Sequence, residues 1–203
     1  MINRLDPVEL RVLGCLIEKQ RTTPEQYPLT LNSLRLACNQ ATNRDPVMQL
    51  DESEVRAAAQ SLGTKGYARL ATGPGSRTAK YRQLFGEALD LMPGEVSVLA
   101  VLMLRGPQTL KELETRTERL YHFGATVSLE QTLQQLDGKE LVHLLPKQPG
   151  QREARWTHLL DEAPSVAADD APPEEPTSIE RRLARLEERL TELERALAER
   201  DVL

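Results

Sequence analysis

Asp6-Pro7-Val8-Glu9-Leu10-Arg11-Val12-Leu13 returns 86 residues later as Met92-Pro93-Gly94-Glu95-Val96-Ser97-Val98-Leu99. In both stretches a proline opens an apolar run, as in the first turn of a helix, where the missing N–H costs nothing. The likeness continues outward. Pro28-Leu29-Thr30-Leu31-Asn32-Ser33-Leu34 aligns with Pro107-Gln108-Thr109-Leu110-Lys111-Glu112-Leu113, 79 residues on. Val55, Ala59, Leu62 and Lys65 fall on Leu129, Leu133, Leu136 and Lys139 at an offset of 74, and Lys80-Tyr81 on Arg155-Trp156 at 75. The first copy therefore carries about seven extra residues before its second segment and about five before its third. Self-similarity of this kind means two copies of one small fold.

Each copy reads with the same grammar. A first helix is expected from Pro7 to Lys19 and from Pro93 to Leu104. A second opens at Thr30 or Thr109, both suited to capping free amides. The third runs from Ser53 to Thr64 and from Ser128 to Asp137, where Asp51/Glu54 and Ser128/Gln131 have capping-box spacing. Two strand-like runs follow around a Gly/Pro turn: Tyr67–Thr72 and Arg77–Arg82, then Leu141–Leu145 and Arg152–Leu159. Three helices closed by a hairpin make a winged helix, a variant of the helix-turn-helix. The expected class is mainly α with small β-hairpins (α+β). The expected architecture is tandem winged-helix domains at 1–86 and 87–160.

Beyond residue 160 the composition changes. Residues 161–177 carry Pro164, Pro172, Pro173 and Pro176 among acids and read as an acidic Pro-rich linker. Residues 178–203 turn to a heptad: Ile179, Leu183, Leu186, Leu190, Leu193 and Leu197 are spaced 4, 3, 4, 3, 4. That is a coiled-coil seam. With Leu183 at an a position, Arg182 and Arg189 fall at g and Glu187 and Glu194 at e. A parallel pair then places Arg against Glu, so the tail is expected to join chains as a parallel homodimer.

The strings Thr22-Thr23-Pro24-Glu25-Gln26-Tyr27-Pro28-Leu29, Ala37-Cys38-Asn39-Gln40-Ala41-Thr42-Asn43-Arg44-Asp45-Pro46-Val47 and Leu104-Arg105-Gly106-Pro107-Gln108-Thr109 resemble the bacterial YceH-like family. So do Gly14-Cys15-Leu16-Ile17-Glu18-Lys19-Gln20 and Pro149-Gly150-Gln151-Arg152-Glu153-Ala154-Arg155. The resemblance spans residues 5 to about 160. It implies a tandem winged-helix fold and a bacterial cytoplasmic origin, and it carries no activity with it. The linker and heptad tail lie outside it.

Composition narrows the function classes. Aromatic residues are only 3% of the 203, which disfavours an aromatic-lined pocket or a single-strand stacking platform. No apolar run approaches the roughly 20 residues of a membrane span. Cys15 and Cys38 each sit in an apolar helical pattern and read as reduced core thiols. The net charge of −5 is uneven: residues 1–86 sum to +4, 87–160 to −2 and 161–203 to −7. A locally basic module inside an acidic chain is compatible with nucleic-acid binding.

Candidate contacts follow from that first module. Arg69, Arg77, Lys80 and Arg82 cluster on the first hairpin with no acid between Tyr67 and Gln83, as expected of a wing that follows phosphates. The same charges also suit a protected sheet edge. Asn43 and Arg44 lie in an insertion between the second and third helices that can face a duplex backbone, or can simply shape a turn. Arg56 is the cation of the third helix, whose start carries Asp51, Glu52 and Glu54. Those acids cap amides and repel phosphate, which disfavours major-groove reading by this helix. His122, His143 and His158 match no metal-ligand spacing, and His158 reads as strand surface at the position Gln83 takes in the first copy. No nucleophile–base spacing stands out, so no enzyme, metal or cofactor is expected. The sequence therefore points to double-stranded DNA as partner. A protein–protein adaptor is the alternative.

Overall fold

In this computed structural model, which describes residues 3–71, 79–124 and 127–161, two long helices form the centre. They are α1 (Pro7–Thr22) and α5 (Pro93–Arg105). Asp6 caps α1, its carboxylate accepting from the N–H groups of Val8 at 2.7 Å and Glu9 at 2.9 Å. Glu9 returns the bond by accepting from Asp6 N–H at 2.8 Å, which completes a capping box. At the start of α5, Glu95 accepts from Met92 N–H in the same way at 2.7 Å. Both helices are buried all round over most of their length, Glu9 to Glu18 and Gly94 to Leu104. A helix apolar on every face needs neighbours on every side, and each of these two has the other plus its own repeat.

Around α1 lie β1 (Leu29–Thr30), α2 (Leu31–Cys38), α3 (Glu52–Thr64), β2 (Ala68–Ala71) and β3 (Lys80–Gln83). The single turn α4 (Phe85–Ala88) leads into α5. Around α5 lie α6 (Leu110–Thr117), α7 (Leu129–Gly138), β4 (Val142–Leu145) and β5 (Arg155–His158). The class is mixed α and β with small antiparallel sheets. The first sheet has the order β1-β3-β2, with Leu29 and Leu70 on either side of Tyr81. The second pairs β4 with β5, and Gln108 bridges Trp156 where the first repeat has β1. The strand β1 and a 3₁₀ turn at Pro24–Gln26 are additions to the expected elements.

The repeat reaches side-chain detail. Lys65, just past α3, bonds the buried Glu9 at 2.6 Å, and Lys139, just past α7, bonds the buried Glu95 at 2.7 Å. These four residues already pair in the sequence alignment, yet only folding joins each acid to its base.

Residues Met1–Pro164 form one compact unit in which α1 packs directly on α5. Gly14 makes the contact possible: a Cβ there would lie 2.9 Å from Leu104 Cγ and Cδ2. The first and second halves are also tied together by Leu5 N–H, which donates to Leu160 O at 2.8 Å. Arg77, the 161–177 linker beyond Asp161 and all six heptad residues from Ile179 to Leu197 lie outside the described residues.

Candidate functional site

Strand alternation sets the first hairpin. Tyr81 and Gln83 turn inward while Lys80 and Arg82 face outward. Arg69 stands directly opposite Arg82 across the β2–β3 ladder, and Ala71 opposite Lys80. Arg69, Lys80 and Arg82 therefore share the solvent face, with Arg82 paired to the exposed Glu87 at 2.7 Å. The inner side is locked by the 20–27 insertion. Tyr27 Oη accepts from Gln83 N–H at 2.6 Å, and Gln20 Oε1 from Gln83 Nε2 at 2.7 Å. Burial pushes the Tyr27 hydroxyl up to about 12, so it stays protonated. Arg56 is exposed on α3, whose start presents Asp51, Glu52 and Glu54 to solvent.

The 39–48 insertion is mostly structural. Asn39 exchanges two hydrogen bonds with the Leu50 backbone, at 2.7 and 2.8 Å, and so fixes where α3 begins. Arg11, itself buried, donates to Cys38 O and Pro46 O. The expectation that Arg44 meets a phosphate needs correction, because its side chain is 0% exposed. Its guanidinium donates to Ala37 O at 3.1 Å, Asn43 O at 2.8 Å and Glu18 Oε2 at 2.7 Å. The reading of His158 as strand surface is also corrected. It is buried, as Gln83 is, and its Nδ1 lies 2.8 Å from Asp161.

Asn43 points elsewhere. In the left-handed region at φ 61°, tolerated by Asn, it turns its amide so that Oδ1 accepts from Arg105 at the end of α5. The neighbouring Asp45 N–H donates to Leu104 O at 2.8 Å. Two polar strings far apart in the sequence, Ala37–Val47 and Leu104–Thr109, thus meet across the repeats. They border a cleft of about 330 Å³ whose polar rim is Glu18, Asn43, Arg105, Arg116 and Arg119. Its walls are Ala100, Val101, Leu104 and Leu120.

Glu18 is the acid at the centre of this arrangement. Only 2% of its side chain is exposed, and it is met by Arg44 from within, Arg119 at 2.5 Å and Lys19 at 3.3 Å. Burial pushes its carboxyl up, but the bond and charge of Arg44, with Lys19 and Arg119, hold it below the ordinary value. Arg105 is lowered first by burial and then by Arg116, Arg119 and Arg44, with Glu18 acting the other way. Three arginines and one buried carboxylate thus line the cleft.

None of Glu18, Arg105, Arg116 and Arg119 stands out from the sequence as a site residue. Two signals are present there: a carboxylate directly after the apolar run Cys15-Leu16-Ile17, and arginines three residues apart, Arg116 in the last turn of α6 and Arg119 just past it. Among the described residues no His/Cys/Asp/Glu group is arranged to hold a metal ion, and no helix is long and apolar enough to cross a membrane.

A mixed α and β chain with two similar halves and small antiparallel sheets is thereby defined. It belongs to the family described as "Protein of unknown function, DUF480", whose profile matches residues 5–151. It is 52% identical over 174 residues to the UPF0502 protein GSU0233 of Geobacter sulfurreducens, covering 84% of this chain and 79% of that protein. It is 48% identical over 202 residues to a UPF0502 protein of Pelobacter propionicus, covering 96% and 92%. With the UPF0502 protein Pfl01_3711 of Pseudomonas fluorescens it shares 42% over 205 residues, covering 94% of each. The breadth across bacteria agrees with the YceH-like resemblance read from the polar strings.

Proposed function

We propose that the chain is a tandem winged-helix protein that binds double-stranded DNA as a cytoplasmic transcriptional or nucleoid-associated regulator. The order helix, short strand or bridge, helix, helix, hairpin occurs in both halves and supports the winged-helix reading. The observation that carries the DNA reading is the outer face of the first hairpin, where Arg69 and Arg82 are cross-strand neighbours beside Lys80. Like charges directly opposite each other destabilise a sheet unless an anion offsets them, and Glu87 offsets only part of this set. A duplex backbone supplies such anions in a row. In this reading the tail, with its seam from Ile179 to Leu197, joins two chains in a parallel coiled coil and doubles the basic surface.

The adaptor reading has its own support. Three carboxylates stand at the exposed start of α3, and Leu70 and Leu144 are exposed at corresponding positions of the two hairpins. Duplex binding of random sequence, measured across salt concentrations, separates the two. Replacing Arg69, Lys80 and Arg82 together by Ala should flatten the slope of log K against log salt by roughly 0.9 for each phosphate that is no longer neutralised. Sequence preference should change little, since phosphate contacts carry no base information. No duplex affinity at low salt, in a chain whose hairpin is intact, leaves the adaptor.

A further inference from the structure

We infer that the cleft between the two halves is a binding site for a small organic phosphate, a ligand with a dianionic head and a compact apolar body. The charges lead there first. Glu18 is already matched by Arg44 behind it, so the bond from Arg119 brings a second cation to one carboxylate and Lys19 a third. Glu112, the acid nearest Arg116 at 3.6 Å, is closer to Arg155 at 2.9 Å. Arg105 donates to the neutral Asn43 amide, and among the described residues no carboxylate lies within 4.0 Å of it. Three guanidiniums thus border one recess with too few anions to match them. Close cations disfavour one another's charged state: burial lowers Arg105 first, Arg116, Arg119 and Arg44 lower it further, and Glu18 opposes them only in part. A bound dianion reverses that penalty.

The geometry and the walls narrow the class. Guanidinium forks suit the oxygens of a phosphate group, which several arginines can share from different sides. Arg105 comes from α5, Arg116 from α6 and Arg119 from the turn beyond it. The volume of about 330 Å³ lies at the lower end of small-ligand pockets. Ala100, Val101, Leu104 and Leu120 are core residues whose edges form its floor, giving a compact apolar body a surface to rest on that inorganic phosphate alone would not use. This site uses none of the hairpin cations and stands independently of the DNA reading.

Titration calorimetry on the full chain tests it, at constant ionic strength, with inorganic phosphate, phenyl phosphate and sodium chloride as the added solutes. The expected result is saturable binding of phosphate, tighter binding of phenyl phosphate and no saturable response to chloride. Arg116→Gln and Arg105→Gln should each weaken phenyl phosphate about tenfold, the scale of one charge-assisted hydrogen bond. Arg105→Lys, which keeps the charge but loses the fork, should fall between. The Arg69/Lys80/Arg82→Ala protein should bind phenyl phosphate as the parent does, so failure of the hairpin reading leaves this one standing. Heat that does not saturate, or equal affinity in the parent and both Gln variants with unchanged circular dichroism, overturns the assignment. Loss of duplex binding in Arg116→Gln without any response to either phosphate also overturns it, and gives the cleft to a nucleic-acid backbone instead.

Discussion

The Arg44 guanidinium shows how burial redirects a charge. Its donors are satisfied by Ala37 O, Asn43 O and Glu18, so its contribution is to stability and not to a ligand. Removing one partner of a buried pair leaves the other uncompensated, which typically costs about 3–5 kcal/mol. Arg44→Ala should lower the unfolding free energy from urea titration by an amount of that order. Arg56→Ala, on an exposed site, should stay within about 0.5 kcal/mol of the parent. The acids make a second prediction. Burial raises the Glu9 and Glu18 carboxyls, but Lys65 and Ser61 on Glu9, and Arg44 on Glu18, bring both below the usual value of 4.5. A carboxyl lowered by folding contributes stability that is complete above its unfolded-state pKa and is lost as pH falls through its folded one. The urea midpoint should therefore drop as pH falls below about 4.5. Glu18→Gln should lower it at pH 7 and reduce its dependence on pH below 4.5. A midpoint flat down to pH 3 would contradict this.

At the scale of elements, the crossing of α1 on α5 depends on a missing side chain. Any Cβ at Gly14 meets Leu104 at 2.9 Å, and Met103 Cβ lies at 3.4 Å. Overpacking of a tight core costs about 1–3 kcal/mol, so Gly14→Val should destabilise by that much in denaturant unfolding. Gly138, in the last turn of α7, meets nothing within 4 Å, and Gly138→Ala should be neutral or slightly stabilising. Helix starts were legible because caps are local. Thr30, Asp51, Thr109 and Ser128 each accept from backbone amides within three residues, as their spacing implied. The short β1 was not legible. Two residues carry no period, and Leu29–Thr30 is a strand only because Tyr81 and Lys80 lie beside it.

At the scale of the whole molecule, both repeats share the core centred on α1 and α5, and Leu5 is tied to Leu160 across the full length of the pair. The heptad tail lies beyond that unit, and its leucine seam predicts association independent of it. Ending the chain after Pro164 retains the Asp161 contacts with Leu5 and His158. The shortened protein should sediment as a monomer and the full chain as a dimer. Equal oligomeric states would remove the tail from assembly.

Repetition, helix caps, strand alternation and the placing of Tyr81 and Trp156 on equivalent strands all follow from the sequence by itself. Caps and alternation depend on residues a few positions apart, where spacing dictates which side chains share a face, and the repeat shows in the matching of one such local pattern to another. The tertiary structure decided which charges are available. Arg44 and Arg69 are equally cationic in the sequence, but one is sealed against Glu18, 26 positions away, and the other stands in solvent. The cleft joins Asn43 to Arg105 across 62 positions and Glu18 to Arg119 across 101. No local period encodes such a meeting. It exists because α1 and α5 bury their apolar surfaces against each other, and that packing brings their polar ends to one place.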